Sequence, residues 1–201
     1  VLGRKEREVP LEEFEAEVTA LVESNDQLKS EVEQQVSSVR TAAIYNLMLS
    51  KTEEEQREWL ELLEIRQDSA FYAVLIFVYN DRDPEADLSD IGAQKLFLET
   101  VIRQQENVSV EGIYQLDTER MMVLLAGNWD SVSSVRTEAE LLVKGILAVT
   151  QQNIFYSISV GGDVFESVFG IPRAIAHVQK ALRVQENIFG KNNIQWYDRL
   201  K

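Results

Sequence analysis

The sequence contains no cysteine and a single histidine, His177. The first absence excludes disulfides, thiolate nucleophiles and cysteine-ligated zinc and is compatible with a reducing cytoplasm; the second excludes metal sites built from several imidazoles. No run approaches the roughly 18 apolar residues that suggest a membrane span, and Val1 to Pro10 lacks the apolar core of a signal peptide, so the chain reads as soluble. Basic residues are also few: 20 Lys and Arg stand against 34 Asp and Glu, for a formal charge of −14. Nucleic-acid binding needs cations to replace the counterions of the phosphates, so this fragment is not expected to grip DNA directly. Acidic residues crowd the first 64 positions, notably Glu12, Glu13, Glu15, Glu17, Glu31 and Glu33, then Glu53 to Glu55, Glu58, Glu61 and Glu64, as solvated helix faces.

What is present suffices for one core. With 45% hydrophobic residues in 201, the chain can build one domain of ordinary size plus an appendage. From Leu11 the apolar residues step by alternating threes and fours, a heptad seam of about four repeats. Leu11, Val18, Asn25, Val32 and Val39 fall at position a, with Phe14, Leu21, Leu28 and Gln35 at d. β-branched residues at a with Leu at d favour a parallel two-stranded coil, and one buried Asn at a fixes register by pairing with its mate, a role that suits Asn25. The same stripe, widened by Val22 and Val36 at e, also fits an amphipathic helix packed on its own domain; the dimeric coil is the reading preferred. Flanking positions do not decide orientation, because the g-to-e′ pairs Glu17 with Val22 and Glu31 with Val36 are not ion pairs.

Residues 40 to 49 continue as an apolar helix (Ala42, Ala43, Ile44, Leu47, Met48, Leu49), interrupted at Ser50 to Thr52. Thr52 with Glu55 three places on is a capping box, and Trp59, Leu60, Leu62 and Leu63 form the apolar face of the helix it opens. Beyond residue 70 the pattern predicts a strand over 72–79 closed by Asn80-Asp81-Arg82-Asp83-Pro84, and a helix over 91–105. A hairpin follows from strands at 108–116 and 119–126 around Asp117-Thr118. Then come a helix over 132–149, a strand over 154–160 ended by Gly161-Gly162, a helix over 172–186 and a short strand over 194–197. The expected fold class is α+β: a coiled-coil and helical neck, then a ferredoxin-like antiparallel sheet with helices on one face. Three segments result, a coiled-coil signalling helix over 1–40, a helical neck over 41–67 and a regulatory domain over 68–201.

Several phrases resemble the GGDEF-type nucleotide cyclase fold, and more closely its degenerate relatives in bacterial membrane-anchored AraC-family transcription regulators. They are Ala73-Val74-Leu75-Ile76-Phe77-Val78, Met122-Val123-Leu124-Leu125, and Ser157-Ile158-Ser159-Val160-Gly161. The tail is similar too: Ala181-Leu182, then Phe189-Gly190-Lys191-Asn192-Asn193-Ile194 and Tyr197-Asp198. The neck Leu28-Lys29-Ser30-Glu31-Val32-Glu33-Gln34-Gln35, followed by Val39-Arg40, looks like the segment these regulators place between membrane and regulatory domain. The resemblance implies an upstream sensor with membrane helices before residue 1, a helix-turn-helix domain after residue 201, and a location on the cytoplasmic side of the inner or plasma membrane. DNA and membrane would then be met only through those segments.

An active cyclase of this kind needs a glycine-rich loop at the hairpin, where backbone approaches GTP phosphates and an acid helps hold metal. Here that turn is Leu116-Asp117-Thr118-Glu119-Arg120, without either glycine. A second carboxylate is expected where the first strand ends, and Val78 stands there, with Asn80 and Asp81 close by. Gly161-Gly162-Asp163-Val164-Phe165 differs from the family signature by one residue but follows the fourth strand, and reads as turn chemistry. His177 lies beside the Ile171, Ile175, Val178, Leu182 face of its helix with no acid or nucleophile near it in sequence, and reads as a boundary residue. Asp81, Asp83, Glu85, Asp87 and Asp90 loosely resemble a calcium loop but lack its Gly and terminal Glu, and read as solvated. Trp59, Trp129 and Trp196 read as core or interface anchors. No catalytic, cofactor or metal residue is expected. The expected function is non-enzymatic signal transmission and homodimerisation through the N-terminal helix. A small-ligand or nucleotide receptor is the alternative, and an active diguanylate cyclase the remote one.

Overall fold

The structure is a computed structural model that describes residues 11–80, 88–105, 109–150, 157–185 and 194–200. It divides into two compact units, residues 1–39 and 40–201. Helix α1 (Leu11–Leu49) supplies the described part of the first unit and the opening of the second. In the first unit Val18, Leu21, Leu28, Val32 and Val39 are all exposed, as is Asn25. The side chains of Leu11 and Phe14 lie outside the described residues.

The second unit begins with the end of α1, on which Ala43, Ile44 and Leu47 are buried. Helix α2 (Glu53–Leu62) starts where the capping box places it: Thr52 Oγ1 accepts the Glu55 amide at 3.2 Å. The reciprocal arm differs from the standard box, because the Glu55 carboxylate takes the amide of Lys51 at 2.8 Å. Of the expected face, Leu60 and Leu63 are buried and Trp59 packs against them, but Leu62 is exposed, since it lies a residue off the helical repeat. The helix ends in a Schellman motif. The Ile65 amide donates to Leu60 O at 3.0 Å and the Glu64 amide to Glu61 O at 3.0 Å, with Glu64 in the left-handed region at φ 57°. The expected neck, 41–67, thus shares its core with the sheet rather than standing off it.

The remaining elements are β1 (Phe71–Asn80), α3 (Leu88–Arg103), β2 (Val110–Gln115), β3 (Arg120–Gly127), α4 (Val132–Thr150), β4 (Ser157–Phe165), α5 (Ile171–Gln185) and β5 (Ile194–Trp196). The strands form one sheet in the order β2-β3-β1-β4-β5, antiparallel except where β5 runs parallel to β4. Helices cover both faces, not one. Tyr72, Val74 and Ile76 of β1 meet α5, α2 and the end of α1, while Ala73, Leu75 and Phe77 meet α3 and α4. The reason is visible in β1, which is apolar from Phe71 to Val78 without alternation and so buries both sides, as a one-sided strand does not. Tyr72 is buried yet satisfied: its hydroxyl donates to Arg66 O at 2.9 Å and accepts the Ser69 amide at 3.1 Å, which fastens the α2–β1 connection. No helix among the described residues is long and apolar enough to cross a membrane.

Candidate functional site

The hairpin between β2 and β3 closes with Gln115 opposite Met121 and the Leu116 amide donating to Arg120 O at 2.9 Å. Its turn needs no glycine, because Asp117 organises it from the side chain. Asp117 Oδ1 accepts the amides of Glu119 at 2.9 Å and Arg120 at 2.8 Å, and Oδ2 takes the Arg120 guanidinium at 2.6 Å and 2.5 Å. Gln115 adds hydrogen bonds to the carbonyls of Asp117 and Arg120. Partial burial pushes the Asp117 carboxyl up, but the Arg120 side chain and the two amides outweigh it and hold the group below its ordinary value. Both carboxylate oxygens are therefore engaged inside the turn.

Two side chains of α1 reach this loop. Tyr45 donates its hydroxyl to Leu116 O at 2.9 Å, and Thr41 donates to Gln115 O at 3.3 Å. From the other side the Tyr79 amide at the end of β1 donates to Glu119 O at 3.0 Å. Register places the apolar Val78 directly opposite Arg120. The side chain of Asn80 and residues 81–87, with Asp81, Asp83, Glu85 and Asp87, lie outside the described residues, while Asp90 falls within α3.

No protein-family profile and no curated protein matches the sequence. Among solved structures, the chain is similar to the X-ray structure of an EAL/GGDEF domain protein from M. capsulatus, with a TM-score of 0.52 at 18% identity, over 69% of this chain and 92% of that one. The fold is GGDEF-like.

Within the GGDEF-like sheet, Gly161-Gly162-Asp163-Val164-Phe165 is not a turn. All five residues belong to β4, with Gly161 paired to Ile76 and Gly162 to Leu75 of β1. The glycines are there for close approach. A Cβ on Gly161 would lie 2.7 Å from Val178 and 2.8 Å from Leu182 of α5, and one on Gly162 would lie 2.6 Å from the ring of Trp196. The likeness to the family signature is thus a packing requirement on two faces of one strand.

The pairing of Asp163 with His177 was missed by sequence reasoning. Asp163 points to the α5 side, where its Oδ2 meets His177 Nδ1 at 2.8 Å and its Oδ1 takes the Val164 amide at 3.0 Å. The imidazole stacks on Tyr197, centroids 3.8 Å apart. Fourteen residues separate the two in the chain, and only the packing of α5 on β4 joins them. His177 is half-buried, at a boundary as expected, but it has the acid partner that the sequence did not suggest. Trp196 is fully buried with Nε1 donating to Glu140 at 3.0 Å, and Trp129 donates to Glu138. Both are anchors of the α4 side, as their polar handles require.

Proposed function

We propose that the chain is a non-enzymatic signal-transmitting and dimerisation unit of a bacterial transcription regulator of the AraC family, coupling an upstream membrane sensor to a DNA-binding domain outside this sequence. The observation that carries the reading is the pair of hydrogen bonds from Tyr45 and Thr41 of α1 to the hairpin carbonyls. In a catalytic GGDEF domain that turn must be open to a nucleotide and a metal. Here it lacks glycine, spends its carboxylate on Arg120 and is tied to the helix that carries the heptad seam. The AraC assignment rests on the resemblance of the tail around Ala181-Leu182 and Ile194 and of the Leu28-to-Arg40 segment.

A relay of this kind requires two seam packings within a few kcal/mol of each other, so that differential binding upstream shifts the balance. Polar Asn25 and Gln35 within an otherwise apolar seam weaken it in the required sense. Amide hydrogen exchange tests the coupling. In a Leu21→Glu, Leu28→Glu variant, which opens the seam, protection of the Glu119 and Arg120 amides is expected to fall relative to the unaltered chain. Identical protection in the two proteins would remove the relay.

A further inference from the structure

We infer that the dimer seam does not stop at Val39 but continues into the globular unit through Ala42, Asn46 and Leu49, where its occupant is the same helix of a second copy of this chain. The inference rests on the dimer reading of residues 11–39 and extends it. Counted in sevens from Leu11, position a falls on Asn46 and position d on Ala42 and Leu49, with no inserted or missing residue. In the second unit, described by itself, the end of α1 has two faces. Ala43, Ile44 and Leu47 are buried in the core, whereas Ala42, Tyr45, Asn46 and Leu49 are exposed, Leu49 by 74%. The exposed face is the one that the heptad assigns to the partner.

The choice of a second copy follows from symmetry and charge. Asn25 and Asn46 both occupy position a, which in a parallel two-stranded coil faces its own counterpart. An amide carries donor and acceptor together, so Asn pairs with Asn, and an unlike partner would need polar residues at the same two depths. The chain is strongly acidic, yet the positions flanking this stretch, Ser38 and Tyr45 at g and Ala43 and Ser50 at e, carry no charge, so two identical helices meet without like-charge repulsion. Tyr45 gives the extension a consequence. The residue is 43% exposed at position g beside the seam while its hydroxyl donates to Leu116 O, so the second copy's approach is felt at the hairpin.

The absence of cysteine makes the test clean. Asn25→Cys, Asn46→Cys and, as a control on the opposite, exposed face, Ser37→Cys are each introduced into the 201-residue chain and oxidised. The expected result is a shift from the 23.0 kDa species to a disulfide-linked dimer for both Asn25→Cys and Asn46→Cys, and little for Ser37→Cys. Linkage of Asn25→Cys alone would overturn the extension and leave the N-terminal dimer standing. No linkage above the control at either site would overturn both. Unchanged circular dichroism excludes misfolding as the cause, since all three positions are exposed.

Discussion

Asp117 accepts two amides and one guanidinium in a five-residue turn, so its charge holds the turn together. Its folded-state value is depressed, so its contribution is complete at neutral pH, above the unfolded value, and is lost as pH falls through the folded one. Asp117→Ala is expected to cost about 1 kcal/mol at neutral pH. The gap between the urea midpoints of the variant and the unaltered chain should narrow as pH falls below the ordinary carboxylate range; a gap that stays unchanged in acid contradicts the assignment. At Gly161, substitution by Ala forces a methyl group into Val178 and Leu182 and is expected to cost about 1–3 kcal/mol by urea denaturation. The turn was legible in the sequence because Asp at its start and missing glycines are local facts. The Gly161-Gly162 pair was not, since adjacent glycines signal a turn unless it is known that Trp196 and α5 press on them. Nor was the Asp163 to His177 contact, which arises only when two elements pack.

Among the elements, α2 shows how far local chemistry reaches. Its N-terminus was marked by Thr52 and Glu55, and its end hangs on Glu64, a non-glycine residue held at φ 57°. Glu64→Gly removes that steric penalty and is expected to raise stability by up to about 1 kcal/mol at an unchanged m-value. A lower midpoint would mean that the Glu64 side chain has a stabilising role that outweighs the strain. Leu60→Ala, at the buried end of the same motif, is expected to cost about 2–5 kcal/mol, because Leu60 is fully buried in the core that the helices share with the sheet. The faces of strands were read less well than their positions. Helices were expected on one face, although the unbroken apolar run of β1 asks for cover on both, and the side bearing Ala73, Leu75 and Phe77 is buried in the core with α3 and α4. The heptad was legible through Val39 and passed unnoticed beyond it. There the residues that pack on the sheet, Ala43, Ile44 and Leu47, mask the seam residues lying between them.

At the scale of the whole molecule, a GGDEF-like sheet, a hairpin closed on itself and a helix that presents an apolar stripe occur in one chain. Such a protein is expected to form no product from GTP and Mg²⁺; formation of cyclic di-GMP would overturn the reading of the hairpin. Calorimetry with GTP and with cyclic di-GMP separates the relay from a nucleotide receptor, and the relay predicts no heat of binding with either. The central claim, self-association through α1, is tested most directly by sedimentation equilibrium of the 201-residue chain at high micromolar concentration, alone and with Asn25→Val. A dimer whose affinity or oligomeric state changes on loss of the seam amide is the predicted result. A monomer, or a dimer indifferent to Asn25→Val, would contradict it.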